Sequence, residues 1–204
     1  KLDLADCKFN PGSIATFARS VSWADAALAR LDCSQNDAIT GKRSRDNDGA
    51  APLIYGEQPD GWIALCSSLS GSSITSLNFS GCQLNSESLT PLTEAISSMA
   101  GVTDLNISMN DIGVDGAKAL GDVISGSSLK CLIIGPKGTR LPVNDEEVTE
   151  LNFEGQEFSP VEVTLVAAAT LTLAAVVDVN ISMSQIGVDG AKALGDVISG
   201  SCLK

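Results

Sequence analysis

The sequence predicts an α/β repeat array, with short strands alternating with helices in a unit that recurs along all 204 residues. Three observations predict it. Residues 102–130 and 176–204 are identical at 24 of 29 positions, and the same offset of 74 aligns 74–81 with 148–155. Inside that long repeat a shorter frame, L-x-x-L-x-L-x-x-N/C-x-L, returns several times. Between frames the apolar residues change from a spacing of two to a spacing of three and four, the change from strand to helix.

Taken in order, the chain opens on Lys1-Leu2-Asp3-Leu4, partway through a copy that continues to Cys7 and Phe9. The next copy carries Leu28, Leu31, Cys33 and Asn36. Three clear copies follow, at Ile74, Leu77, Phe79, Cys82 and Leu84; at Val102, Leu105, Ile107, Asn110 and Ile112; and at Val148, Leu151, Phe153, Gln156 and Phe158. A worn copy stands at Leu129, Leu132 and Ile134, and the last runs through Val176, Val179, Ile181, Ser184 and Ile186. Starts at 74, 102, 129, 148 and 176 are 28, 27, 19 and 28 apart, and the first three spacings together make the offset of 74.

Each L-x-L is a short strand whose apolar side faces inward. The Asn or Cys at frame position nine turns inward after the strand and bonds the backbone of neighbouring turns, forming a ladder along the array. Cys7 and Cys82 take that slot and Cys33 takes a buried strand slot, so packing accounts for three of the cysteines. In 113–126, Ala117, Leu120 and Ile124 fall on one helical face, with Asp115 in the first turn and Gly126 at the stop. The same helix pattern recurs at 189–200 and at 60–71, where Cys66 lies. Seven strands are expected, with an eighth beginning at Leu203.

Two stretches depart from the frame. The 46 residues from Leu28 to Ile74 exceed one unit by about 19, which places an insertion near 41–59. It holds the basic cluster Lys42, Arg43 and Arg45, followed by Asp46 and Asp48, and has no phosphate-loop frame. It reads as a surface loop, with partner contact as its functional reading and a worn strand at 53–56 as an alternative. The 19-residue copy at 129–147 carries Pro136 and Pro142, which discourage a helix. It is expected to close by a loop and leave a notch in the helix layer, with Lys137 and Arg140 as ordinary turn charges.

The frame resembles the leucine-rich repeat, and a spacing of 27–28 with a full helix is similar to the ribonuclease-inhibitor-like class and to long repeat arrays of algae and other protists. The resemblance covers nearly the whole chain. It implies a right-handed solenoid, with a parallel sheet on the concave side, helices on the convex side and one domain over 1–204.

Composition narrows the function. Aromatic residues are 4% of the chain, so the core is aliphatic; there is no histidine, which excludes Ser-His-Asp and Cys-His nucleophiles and His-ligated metals. A net charge of −12 argues against a nucleic-acid partner. No two of the six cysteines form a C-x-x-C pair, and no apolar run reaches the roughly 18 residues of a membrane helix. The three N-x-S frames at Asn78, Asn106 and Asn180 fall in expected strands, which favours chance over glycosylation. Both ends fall inside a repeat, so the chain reads as a piece of a longer or processed protein, in an intracellular site, cytoplasmic or organellar.

The outward strand positions form the candidate surface. The residue between the strand leucines reads Asp3, Asp32, Asn78, Asn106, Ile133, Asn152 and Asn180; two residues earlier come Arg30, Ser76, Asp104, Cys131, Glu150 and Asp178. That column is polar, small and mildly acidic, suited to a basic protein partner or simply to water. Asp104 and Asp178 stand three strands apart in frame, roughly 14 Å at about 4.8 Å per strand, too far for a glycosidase pair. The expected function is a non-catalytic protein-binding scaffold using the strand face and the 41–59 segment, without cofactor or metal. The alternative is a structural subunit of a larger assembly, with a GTPase regulator or enzyme behind both.

Overall fold

The computed structural model describes residues 1–40 and 59–200. The inserted segment up to residue 58, with Lys42, Arg43, Arg45 and the alternative strand at 53–56, lies outside them, as do Cys202 and Leu203.

The frames lay down β1 (Leu2–Asp3), β2 (Arg30–Asp32), β3 (Ser76–Asn78), β4 (Asp104–Asn106), β5 (Cys131–Ile134), β7 (Glu150–Asn152) and β8 (Asp178–Asn180). The frame leucines align across parallel neighbours: Leu2 with Leu31, Leu31 with Leu77, Leu77 with Leu105, and Leu105 with Leu132. Parallel strands need crossovers. The described helices are α1 (Pro11–Ser20), α2 (Asp60–Leu69), α3 (Ser86–Ser98), α4 (Gly113–Ile124), α5 (Pro160–Thr170) and α6 (Gly187–Gly200). Each packs on the next, giving a two-layer solenoid with one core between strands and helices, mostly aliphatic but, against the expectation from composition, with Trp62, Phe79 and Phe158 as its largest fully buried side chains. Capping boxes start three helices: Asn10 with Ser13, Asn85 with Ser88, and Ser159 with Glu162.

The ladder forms where asparagine holds the slot. Asn36 is fully buried; its Nδ2 donates to the carbonyls of Leu4 and Cys33 at 2.9 and 2.8 Å, and its Oδ1 accepts from Phe9 N–H at 3.0 Å. Asn110 repeats this toward Phe79 and Ile107. Cys82 Sγ donates to the Cys33 carbonyl at 3.1 Å. Cys7 corrects the packing expectation: it holds the same slot but is exposed, because no described turn lies beyond β1. In the second long repeat the slot weakens. Gln156 accepts from Thr139 Oγ1 instead, and the Ser184 hydroxyl is buried without a partner.

The short copy also differs from expectation. Gly135 and Gly138, both at positive φ, turn the chain back into β6 (Thr139–Pro142), an eighth strand outside the repeat frame. It runs antiparallel to β5, with Leu132 opposite Leu141 and Ile133 opposite Arg140. The helix layer has no notch, because α5 packs directly on α4, with Ala168 against Gly121. Three strand steps of about 4.8 Å then face one helix step of about 8–10 Å. The strand layer must splay, and it divides into a sheet of β1–β6 and a pair β7–β8.

Candidate functional site

Strand register gathers the outward column into two patches. On the larger sheet Arg30, Ser76, Asp104 and Cys131 line up, as do Asp32, Asn78, Asn106 and Ile133. On the pair, Glu150 stands beside Asp178 and Asn152 beside Asn180. The break between β6 and β7 corrects the strand-count geometry for Asp104 and Asp178, since they belong to different sheets.

The regularity of the Asn column has a local cause. Asn106 Oδ1 accepts from the backbone N–H and the hydroxyl of Ser108, at 3.0 and 2.7 Å. Asn180 does the same with Ser182, Asn152 with Glu154 N–H, and Asn78 with Ser80 N–H. Asp32 serves Ser34 in this way and also accepts Asn78 Nδ2 at 3.0 Å. Each side chain closes a turn onto its own strand end. The amide Nδ2 groups of Asn106, Asn152 and Asn180 donate to no protein group among the described residues, so this column offers hydrogen-bond donors outward.

A depression of about 240 Å³ lies over β2–β6, bounded by Lys1, Arg30, Asp32, Asn78, Asp104, Asn106, Ile133 and Arg140. Arg140, two-thirds exposed, reaches Asp104 at 3.7 Å. The sequence frame treated it as a turn charge; only β6 carries it onto the strand face, and no repeat signal marks that position. Lys1 pairs with Asp3 at 3.0 Å and its hydrogen bond holds that carboxyl below the usual value. This patch therefore mixes cations, acids and amide donors, whereas β7–β8 carries acids, Glu150 and Asp178 with Glu154 beyond. Asn78, Asn106 and Asn180 of the N-x-S frames sit in strands β3, β4 and β8, each half-buried.

The buried thiols are packing groups. Burial pushes those of Cys33 and Cys66 up, and that of Cys82 up to about 12. Burial also raises Cys131, while Arg140 acts the other way. A buried thiol kept protonated is a poor nucleophile and ligand. Among the described residues no group of three His, Cys, Asp or Glu is placed to hold a metal, and no helix is long and apolar enough to cross a membrane.

Comparison with known proteins supports the repeat assignment. Residues 72–92 and 102–121 match the model of the leucine-rich repeat. No curated protein matches the sequence. Among solved structures, the chain is similar to actin-binding site 2 of leiomodin-1, at 9% identity and a TM-score of 0.49, covering 91% of this chain and 86% of that one. It is also similar to the C-terminal domain of tropomodulin from Caenorhabditis elegans, at 11% identity and a TM-score of 0.48, covering 94% and 92%.

Proposed function

We propose that this chain, whose residues 72–92 and 102–121 match the leucine-rich repeat, is a non-catalytic scaffold that binds a protein partner across its strand face. The observation that supports the reading is that Asn106 on the larger sheet, and Asn152 and Asn180 side by side on the strand pair, use their oxygens internally and leave their Nδ2 groups without a protein acceptor among the described residues. A partner's backbone carbonyls satisfy such donors. A basic segment of the same partner fits Glu150, Glu154 and Asp178, and an acidic group fits Arg30 and Arg140. The 41–59 segment, with Lys42, Arg43 and Arg45, enters as a second contact from the sequence.

The test is capture of partners on the full chain from native extract, against three variants: Asn106→Leu with Asn180→Leu, Glu150→Lys with Asp178→Lys, and a deletion of 41–58. Circular dichroism checks that each variant is folded. A protein retained by the native chain and lost with the strand-face variants supports the reading. Equal capture by all strand-face variants overturns it, and loss with the deletion alone moves the contact to the inserted segment.

A further inference from the structure

The short copy interrupts the ladder and opens a depression beside the gap. Asn110 Oδ1 accepts the N–H groups of Cys82 and Leu84 from the turn before it. One unit later the matching donors are Asn110 and Ile112, and the slot that should serve them falls on Lys137. A lysine side chain has no acceptor, and this one is engaged elsewhere, pairing with Glu157 at 3.8 Å and donating to the Gly155 carbonyl at 3.1 Å. The N–H groups of Asn110 and Ile112 accordingly find no acceptor among the described residues.

The gap lies on the wall of a depression of about 400 Å³, lined by the strand-end turns at 83–85, 109–111 and 135–136 and by Glu162 of α5. The short copy has no helix of its own, so α5 packs on α4 and brings Glu162 against the Gly135 turn. A methyl group built on Gly135 would stand 3.4 Å from Glu162 Cγ and 3.7 Å from its Oε1. Glu162 is nine-tenths buried. Its Oε2 accepts the N–H and the hydroxyl of Ser159 in the cap of α5, whereas Oε1 meets no hydrogen-bond donor among the described residues. Asp111, which is exposed, is the second carboxylate of the lining, and the lining holds no cationic side chain.

A buried carboxylate oxygen without a donor calls for one. A guanidinium fits better than an ammonium, because its five donors can span two carboxylates and it is more weakly hydrated. Met109, 60% exposed, and Pro136 offer an apolar wall to its methylene stem. The backbone carbonyls flanking an arginine are the acceptors that Asn110 and Ile112 lack. The starts of α3 and α5 add partial positive charge, but Asn85 and Ser159 with Glu162 already bond their first N–H groups, so the two carboxylates set the sign.

We infer that this depression binds one arginine side chain of a protein partner, with Glu162 and Asp111 on the guanidinium and the Asn110 and Ile112 N–H groups on a neighbouring carbonyl. It lies at the strand-end rim and uses none of the residues assigned to the strand face.

An amide-resolved NMR titration of the full chain tests this, with the blocked tripeptide acetyl-Gly-Arg-Gly-amide and its lysine and glutamate counterparts as probes. The arginine peptide should give saturable shifts at the amides of Asn110, Ile112, Gly135 and Glu162. Glu162→Gln should weaken its binding about tenfold and still cap α5, because glutamine serves at that cap position as glutamate does. Asp111→Asn, at an exposed carboxylate, should weaken it about threefold. Circular dichroism checks that each variant is folded. The lysine peptide should bind at least about threefold more weakly, and the glutamate peptide should cause no saturable shift. Absence of saturable shifts with the arginine peptide, unchanged affinity in Glu162→Gln, or equal binding of either counterpart overturns the inference. Asn106→Leu with Asn180→Leu should leave the arginine titration unchanged, so this inference and the strand-face reading fail separately.

Discussion

Asn110 ties its turn to the one before it, accepting the backbone N–H groups of Cys82 and Leu84 on a single Oδ1 at 2.9 and 3.0 Å. Its Nδ2 meanwhile donates to the Phe79 carbonyl in that preceding turn, at 2.9 Å. Removing the amide strips a partner from two donors and from the carbonyls of Phe79, Ile107 and Ser108 at once, at about 1–3 kcal/mol for each group left buried and unpaired. Asn110→Leu should lower unfolding stability by about 3 kcal/mol in a urea titration. A loss below about 1 kcal/mol would show that water replaces the ladder.

The two long repeats should answer the same mutation with opposite signs. A methyl group on Gly121 would stand 2.9 Å from the Ala168 methyl, while one on Gly195 meets nothing within 4 Å. Gly121→Ala should destabilise by about 1–3 kcal/mol through overpacking. Gly195→Ala, in dilute solution, should stabilise by about 0.5–1 kcal/mol because alanine is the better helix former. Thermal melts moving in the same direction would contradict the helix packing described.

Thiol chemistry should separate Cys7 from the buried cysteines. With iodoacetamide and peptide mapping on the native chain, Cys7 should react, and Cys33, Cys66 and Cys82 should stay blocked until the chain unfolds. The same burial predicts a pH effect. A folded thiol with a raised pKa contributes stability that is complete below the unfolded value, near 9, and is lost as pH rises toward about 12. Unfolding midpoints measured from pH 8 upward should therefore fall, and a midpoint that rises would refute the assignment.

Arg140 is placed to matter for binding and little for stability. Its contact with Asp104 is between exposed groups, so Arg140→Ala should change stability by less than about 1 kcal/mol. Partner capture by the strand face should weaken while the melting temperature holds. A large drop in melting temperature would make Arg140 a structural residue of the hairpin instead.

Local residue order determined much of this protein. The L-x-L frame, the ladder at Asn36 and Asn110, and the helix stripe of Ala117, Leu120 and Ile124 were legible because each rests on spacing within one turn, and a parallel solenoid repeats one local solution. The strand-face column was legible for the same reason, since strand alternation fixes which residues face outward. What each residue meets in the next turn was not legible. β6 arises from a turn through Gly135 and Gly138, and it alone brings Arg140 to Asp104 and divides the sheet. Cys7 and Cys82 share a slot, as Ile124 and Ile198 share a sequence, yet one of each pair is buried and the other exposed. Burial here depends on which turn stacks above or below, a relation between distant segments that identical local sequence does not encode.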